Sequence, residues 1–210
     1  GGLGVRDLLG ARRARLGEVD FAACMQVLVA CAFGRLDADS DLREGAPSEE
    51  SVRLAALLEQ ISAECPEALH QRLKQVRAWL AVGAGASATD TDTAFAQSGC
   101  RVLASAVPSW AGISDQRHRE KLGRRVTDQL CILLDRAESG LLHAAVECFC
   151  IVAGHLTSDY DELVVRFNGG MEHLKDVVER RAPLGLEAQR MVCRQALLVG
   201  SALEFMDLCA

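Results

Sequence analysis

Apolar positions recur at three- and four-residue intervals along nearly the whole chain, the spacing that keeps one face of an α-helix turned inward. Phe21, Cys24, Met25, Leu28 and Val29 form the first clear stripe, with Asp20 suited to cap it and an end expected near Gly34. The stripe puts Cys24 and Cys31 together on one buried face. Residues 37–47 read as a loop. Ser48 then caps a stripe of Leu54, Leu57, Leu58 and Ile61, with Glu49 and Glu50 in the first turn against the helix dipole. Pro66, tolerated in a first turn, begins a stripe of Leu69, Leu73, Val76 and Leu80, and the two make a helical hairpin. Phe95, Val102, Leu103 and Ala106 predict a helix stopped by Pro108. Ser114 or Asp115 caps the next, through Leu122, Val126, Leu130, Leu133 and Leu134. Leu142, Ala145, Val146, Phe149 and Val152 lie on a helix apolar around most of its circumference, the pattern of an interior helix. Asp159 caps a short helix bearing Leu163, Val164 and Phe167; Met171, Leu174, Val177 and Val178 form another; and residues 188–206 form a long last one. The Arg-rich start up to Leu16 reads as a helix containing Val5, Leu8 and Leu9, with the end of an organelle-targeting segment as the alternative. A chain that opens Gly1-Gly2-Leu3-Gly4 without an initiator Met reads as an internal fragment or a processed form.

Residues 83–93, rich in Gly, Ala, Ser, Thr and Asp and without apolar periodicity, read as a flexible linker. It separates an N-terminal helical module, 1–82, from a helical-repeat region, 94–210, unless the whole is one continuous solenoid. Within the second part the run Leu133-Leu134-Asp135-Arg136-Ala137-Glu138-Ser139-Gly140 is echoed by Val177-Val178-Glu179-Arg180-Arg181-Ala182-Pro183-Leu184-Gly185. The apolar helices that follow each reach a glycine, Gly154 and Gly200. The offset of about 44 to 46 residues falls in the range of armadillo and HEAT units. In the last unit a short helix, the turn Asn168-Gly169-Gly170, a medium helix, the turn Pro183-Leu184-Gly185 and a long helix follow one another. That order is similar to an armadillo repeat, in which a glycine before the second helix permits a sharp bend. The resemblance covers residues 115–210. A second, shorter likeness lies in residues 20–36, where Ala22-Ala23 and the run from Leu28 to Leu36 resemble the helix-turn element of organellar helical-repeat proteins of the RAP and octotricopeptide type, families that bind RNA or sit in mitochondrial ribosomes.

Composition agrees with helices. Half of the residues are hydrophobic but only 4% are aromatic, so the core must be Leu, Val and Ala, a helical rather than a strand palette. The wholly apolar runs are far shorter than the ~20 residues of a membrane span, and the chain reads as soluble, with no membrane span. A net charge of −6 provides no global attraction to a phosphate backbone. The positive charge is nearly all arginine: the lysines are Lys74, Lys121 and Lys175, and Asn168 is the single asparagine. This bias is that of a GC-rich genome and weakens any nucleic-acid reading of the arginines. Nine cysteines, an odd number without CxxC spacing, argue against a disulfide framework or a zinc ribbon and for buried free thiols in a reducing intracellular compartment, cytoplasmic or, as the alternative, the mitochondrial matrix. Cys148 and Cys150, two apart on a helix, cannot chelate one ion together.

Catalytic and ligand motifs fail on context. Gly83-Ala84-Gly85-Ala86-Ser87-Ala88 fits a dinucleotide fingerprint, but the preceding residues continue a helical stripe where a strand is required. Asp37, Asp39 and Asp41 have the spacing of the first EF-hand ligands, yet Leu42 and Ser48 occupy the positions of its glycine and glutamate. His143 and His155 are three turns apart, and His173 falls on an exposed face. No enzyme, cofactor or metal is expected.

These observations predict an all-α, right-handed helical-repeat solenoid, armadillo or HEAT-like, of about nine or ten helices, serving as a noncatalytic scaffold or structural subunit for protein partners in a larger complex. What the armadillo resemblance implies is a concave face lined by the last helix of each unit. Its candidate partner-binding residues are Arg190, Arg194, Gln195 and Glu204 on the final helix, and His143 and Glu147 in the preceding unit. The alternative is a structural or RNA-binding subunit of an organellar ribonucleoprotein such as the mitochondrial ribosome. It would touch RNA through Arg12, Arg13 and Arg15, or through Arg117, Arg119, Arg124 and Arg125.

Overall fold

The computed structural model describes residues 5–39, 46–85, 88–136 and 139–156. Within them every regular element is helical. Seven α-helices are present: α1 (Val5–Leu16), α2 (Glu18–Ala38), α3 (Glu49–Glu64), α4 (Leu73–Val82), α5 (Asp90–Ala111), α6 (Gln116–Arg136) and α7 (Ser139–Leu156), with a 3₁₀ segment, Pro66–Arg72, leading into α4. The repeat unit expected over residues 157–210, with Gly169 and Gly170, lies outside the described residues, as does the expected count of nine or ten helices.

Local chemistry sets most of the boundaries. Ser48 caps α3 by accepting from the Ser51 N–H at 3.2 Å, and Asp115 caps α6 by accepting from the His118 N–H at 2.8 Å. Thr89 and Asp92 form a reciprocal capping box at the start of α5. Three expected boundaries are corrected. Asp20 is not a cap: α2 begins at Glu18, behind Gly17, whose φ of 75° is a left-handed conformation that glycine adopts without steric cost. Gly34 does not end α2, which runs to Ala38. Pro108 does not stop α5, which carries it inside its last turns and continues to Ala111, despite the missing N–H and the crowding of its ring against the preceding turn.

The helices pack in two layers. In one, α3, α5 and α7 lie side by side; in the other are the 3₁₀ segment with α4, and then α6, which packs on both α4 and α7. Helix α2 packs on α3 and the 3₁₀ segment, and α1 on α2 and α3. The stripes Leu69–Leu73–Val76–Leu80, Phe95–Val102–Leu103–Ala106 and Leu142–Ala145–Val146–Phe149–Val152 are all buried between the layers. An aromatic ladder ties three helices together: Phe33 of α2 stacks on Trp79 of α4 at 5.5 Å, and Trp79 meets Phe95 of α5 at 4.9 Å. Segment 83–93, expected as a flexible linker, holds a packed turn: Gly83 and Ala84 are buried, and residues 90–93 belong to α5. A Cβ at Gly83 would stand 2.5 Å from the Ala96 Cβ and 3.0 Å from Leu141, so the α4–α5 turn touches α7 only because that side chain is missing.

Helix α2 departs from its expected face. Phe21, Met25, Val29, Ala32, Phe33 and Leu36 are buried, while Cys24 and Cys31 are exposed, with Val27 and Leu28, 63% and 45% exposed, on the same outer side. The expected burial of Cys24 and Cys31 is therefore corrected. Among the described residues α2 is the one helix long and apolar enough to cross a membrane, and its inner side belongs to the core.

Candidate functional site

The open side of the α3–α5–α7 layer carries a mixed-charge groove of about 330 Å³. Glu59 of α3 follows the buried Leu58 and so stands at the edge of the core. Ser98 and Arg101, one helical turn apart on α5, both reach it: Arg101 donates from Nη1 to Glu59 Oε1 at 3.0 Å, and the Ser98 hydroxyl donates to Oε2 at 3.1 Å. Gln60, Ser105 and Glu147 complete the polar lining, and Ala63 and Ala104 the apolar part. Both partners of the ion pair are partly exposed, so the pair orients the groove more than it stabilises the fold and contributes under about 1 kcal/mol. Glu147 projects from α7 one turn after His143, and both are exposed. Of the six residues expected to bind a partner, His143 and Glu147 thus share one face. Arg190, Arg194, Gln195 and Glu204 lie outside the described residues.

A second cleft, of about 240 Å³, opens on the other layer between α4 and α6. Lys74 and Arg77, one turn apart on α4, face Lys121 and Arg125, one turn apart on α6, across Leu73, Leu122 and Trp110. His70 and His118 also line it. The His70 Nε2 and the Ser109 hydroxyl lie 2.9 Å apart; burial lowers the pKa of this imidazole, against a weaker opposing pull from Glu67. His118 Nδ1 lies 2.6 Å from the Asp115 carboxylate, whose pKa is depressed first by the backbone N–H of His118 and then by its ring. The Arg77 Nε is buried and has no hydrogen-bond partner.

The arginines proposed for RNA are divided. Arg12, Arg13 and Arg15 stand on α1, and Arg13 is engaged with Glu18 at 3.1 Å and over the Phe21 ring at 5.9 Å. Arg119 donates to the carbonyls of Ser114 and Ala111 at 2.8 and 3.2 Å, which closes the end of α5 and gives that side chain a structural role. Arg117 and Arg124 are exposed on α6, and Arg125 lines the second cleft. A run of basic residues along the sequence therefore contributes one arginine to the cleft. Lys74, Arg77, Lys121, His70, His118 and Trp110 were not read as site residues. The available signal was that Lys74 and Arg77 sit one turn apart beside the buried Leu73–Val76 stripe.

Other motifs resolve into structure. Residues 76–82, which the dinucleotide fingerprint needs as a strand, are helical. Asp39 accepts from the hydroxyls of Ser48, at 2.7 Å, and Ser51, at 2.5 Å, and so pins the α2–α3 connection to α3; Asp41 lies outside the described residues. Among the described residues, no three His, Cys, Asp or Glu side chains gather where a metal ion could be held. Set against known protein families, curated proteins and solved structures, the chain finds no match in any of the three.

Proposed function

We propose that this chain is a noncatalytic helical-repeat scaffold, a right-handed solenoid of armadillo or HEAT type, that holds protein partners in a larger intracellular complex. The reading rests on one observation: α3, α5 and α7 pack in succession and leave an open face whose groove joins residues from all three helices. A layer of adjoining helices presents a continuous surface to an extended chain. The groove's carboxylates, guanidinium, amide and hydroxyl can pair with a peptide backbone and with side chains of either charge.

The test is photo-crosslinking in the native cell from a residue inside the groove, Gln60 or Ser105, with the same crosslinker at Val27 as a control. Discrete protein adducts from the groove positions, lost on Glu147→Lys with Arg101→Glu, are expected. Adducts to RNA, or adducts indifferent to those two substitutions, would favour the subunit of an organellar ribonucleoprotein. Because Arg119 closes α5, the matching RNA test reverses Arg117 and Arg125 alone.

A further inference from the structure

We infer that the cleft between α4 and α6 binds an acidic peptide segment, with carboxylates at the basic rim and one apolar side chain over Leu73, Leu122 and Trp110. The site lies on the opposite layer from the mixed-charge groove and stands or falls independently of the scaffold reading.

Charge complementarity carries the inference. In a chain of net charge −6, two lysines and two arginines converge on one cleft, and its lining contains no Asp or Glu. Among the described residues none of the four forms an ion pair, although acidic groups are abundant elsewhere. Like charges brought together repel, and the arrangement becomes favourable when anionic groups enter between them. The Arg77 Nε–H, buried without an acceptor, adds a polar group whose desolvation is uncompensated in the free protein.

The apolar centre and the surroundings decide which anion. Leu73 and Leu122 are aliphatic, Trp110 is the one indole, and the other two rings in the lining, His70 and His118, are held by Ser109 and Asp115, so the centre suits one side chain better than a succession of stacked bases. Two carboxylates flank the cleft: Asp115 meets His118, and Glu67 acts on His70. A nucleic acid carries a charge at every step and is repelled by those carboxylates wherever it runs on past the basic rim. A short acidic peptide ends before it does.

The experiment measures fluorescence anisotropy of the full chain with a fluorescein-labelled peptide of Asp and Glu around one central Phe. The same peptide with Ser for Phe, and a labelled oligouridylate, are the comparisons. Saturable binding that weakens with salt is expected, with the Ser peptide weaker and the oligouridylate weaker still. Lys74→Glu with Arg125→Glu should weaken the Phe peptide about tenfold or more. Both side chains are exposed, and a melting curve matching that of the wild type verifies the fold; Lys121→Gln, a milder change, should produce a smaller loss. Absence of saturable binding, affinity unchanged by the charge reversals, or tighter binding of the oligouridylate would each overturn the inference.

Discussion

The cysteines show how residue chemistry follows from placement. Cys24 and Cys31 are exposed on α2, whereas Cys65, Cys100 and Cys148 are buried. Burial above all, then the hydrogen bond from its Sγ to Glu67 at 3.2 Å and the charge of that carboxylate, pushes the Cys65 thiol up to about 11 from 9.0. Because the thiolate is the reactive form, at pH 8 Cys65 has about a hundredfold less of it than an ordinary thiol, in addition to its steric protection. Pulse alkylation with iodoacetamide, read by peptide mass spectrometry, should therefore label Cys24 and Cys31 first among the described cysteines. Cys65 should stay unlabelled until the pH approaches 11 or the chain unfolds. Cys65 labelling at the pace of Cys24 at pH 8 would contradict the packing of the 3₁₀ segment against α3.

At the scale of elements, the α4–α5 turn depends on a missing side chain. Gly83→Ala would force a methyl group to 2.5 Å from the Ala96 Cβ, a contact that neither side chain can relieve by rotation. It should cost about 1–3 kcal/mol, as overpacking typically does. Gly85, two residues on, is exposed and would bring its Cβ only to 3.6 Å from the Val82 carbonyl oxygen. Gly85→Ala should change stability by less than about 1 kcal/mol. Urea denaturation of the two variants compares them directly, and equal midpoints would mean that the turn is not wedged between α5 and α7. The same geometry explains why residues 83–93 read as linker: glycine and alanine are the signature of both a loose connection and a tight one.

At the scale of the whole arrangement of described helices, α5 is the central element. It packs on α3, α4, α7 and the 3₁₀ segment and buries Phe95, Cys100, Val102, Leu103, Ala106 and Val107. Helix α1 lies at the other extreme: residues 10–16 are exposed, and it packs only on α2 and α3 among the described elements that share substantial contact. Local opening requires least free energy where few apolar contacts are lost. Among the described helices, amide hydrogen exchange should accordingly be slowest in α5 and fastest in α1. A profile with α1 as protected as α5 would require a cover over α1 that the described residues do not contain.

Residues three or four apart along one chain were enough for the helical class, the stripes of α3, α4, α5 and α7, and the cap Ser48; the sequence left the cap of α6 open between Ser114 and Asp115, which the bond from the His118 N–H decided for Asp115. It misread α2, where apolar side chains cover the outward side as well as the inward one, so that periodicity does not say which side meets the core; packing against α3 and Phe33's contact with Trp79 decided it in favour of Met25 and Val29 over Cys24 and Cys31. It carried α5 only as far as Pro108, because a local rule about proline cannot weigh the tertiary contacts that hold the last turn. It placed His143 and Glu147 on one face but not beside Glu59 and Arg101, and it read Arg125 with its neighbours on α6 and not across from Lys74 and Arg77 on α4. A site assembled from separate helices depends on how those helices cross, and only the tertiary structure supplies that, since side chains distant in sequence become neighbours through the burial of the faces opposite them.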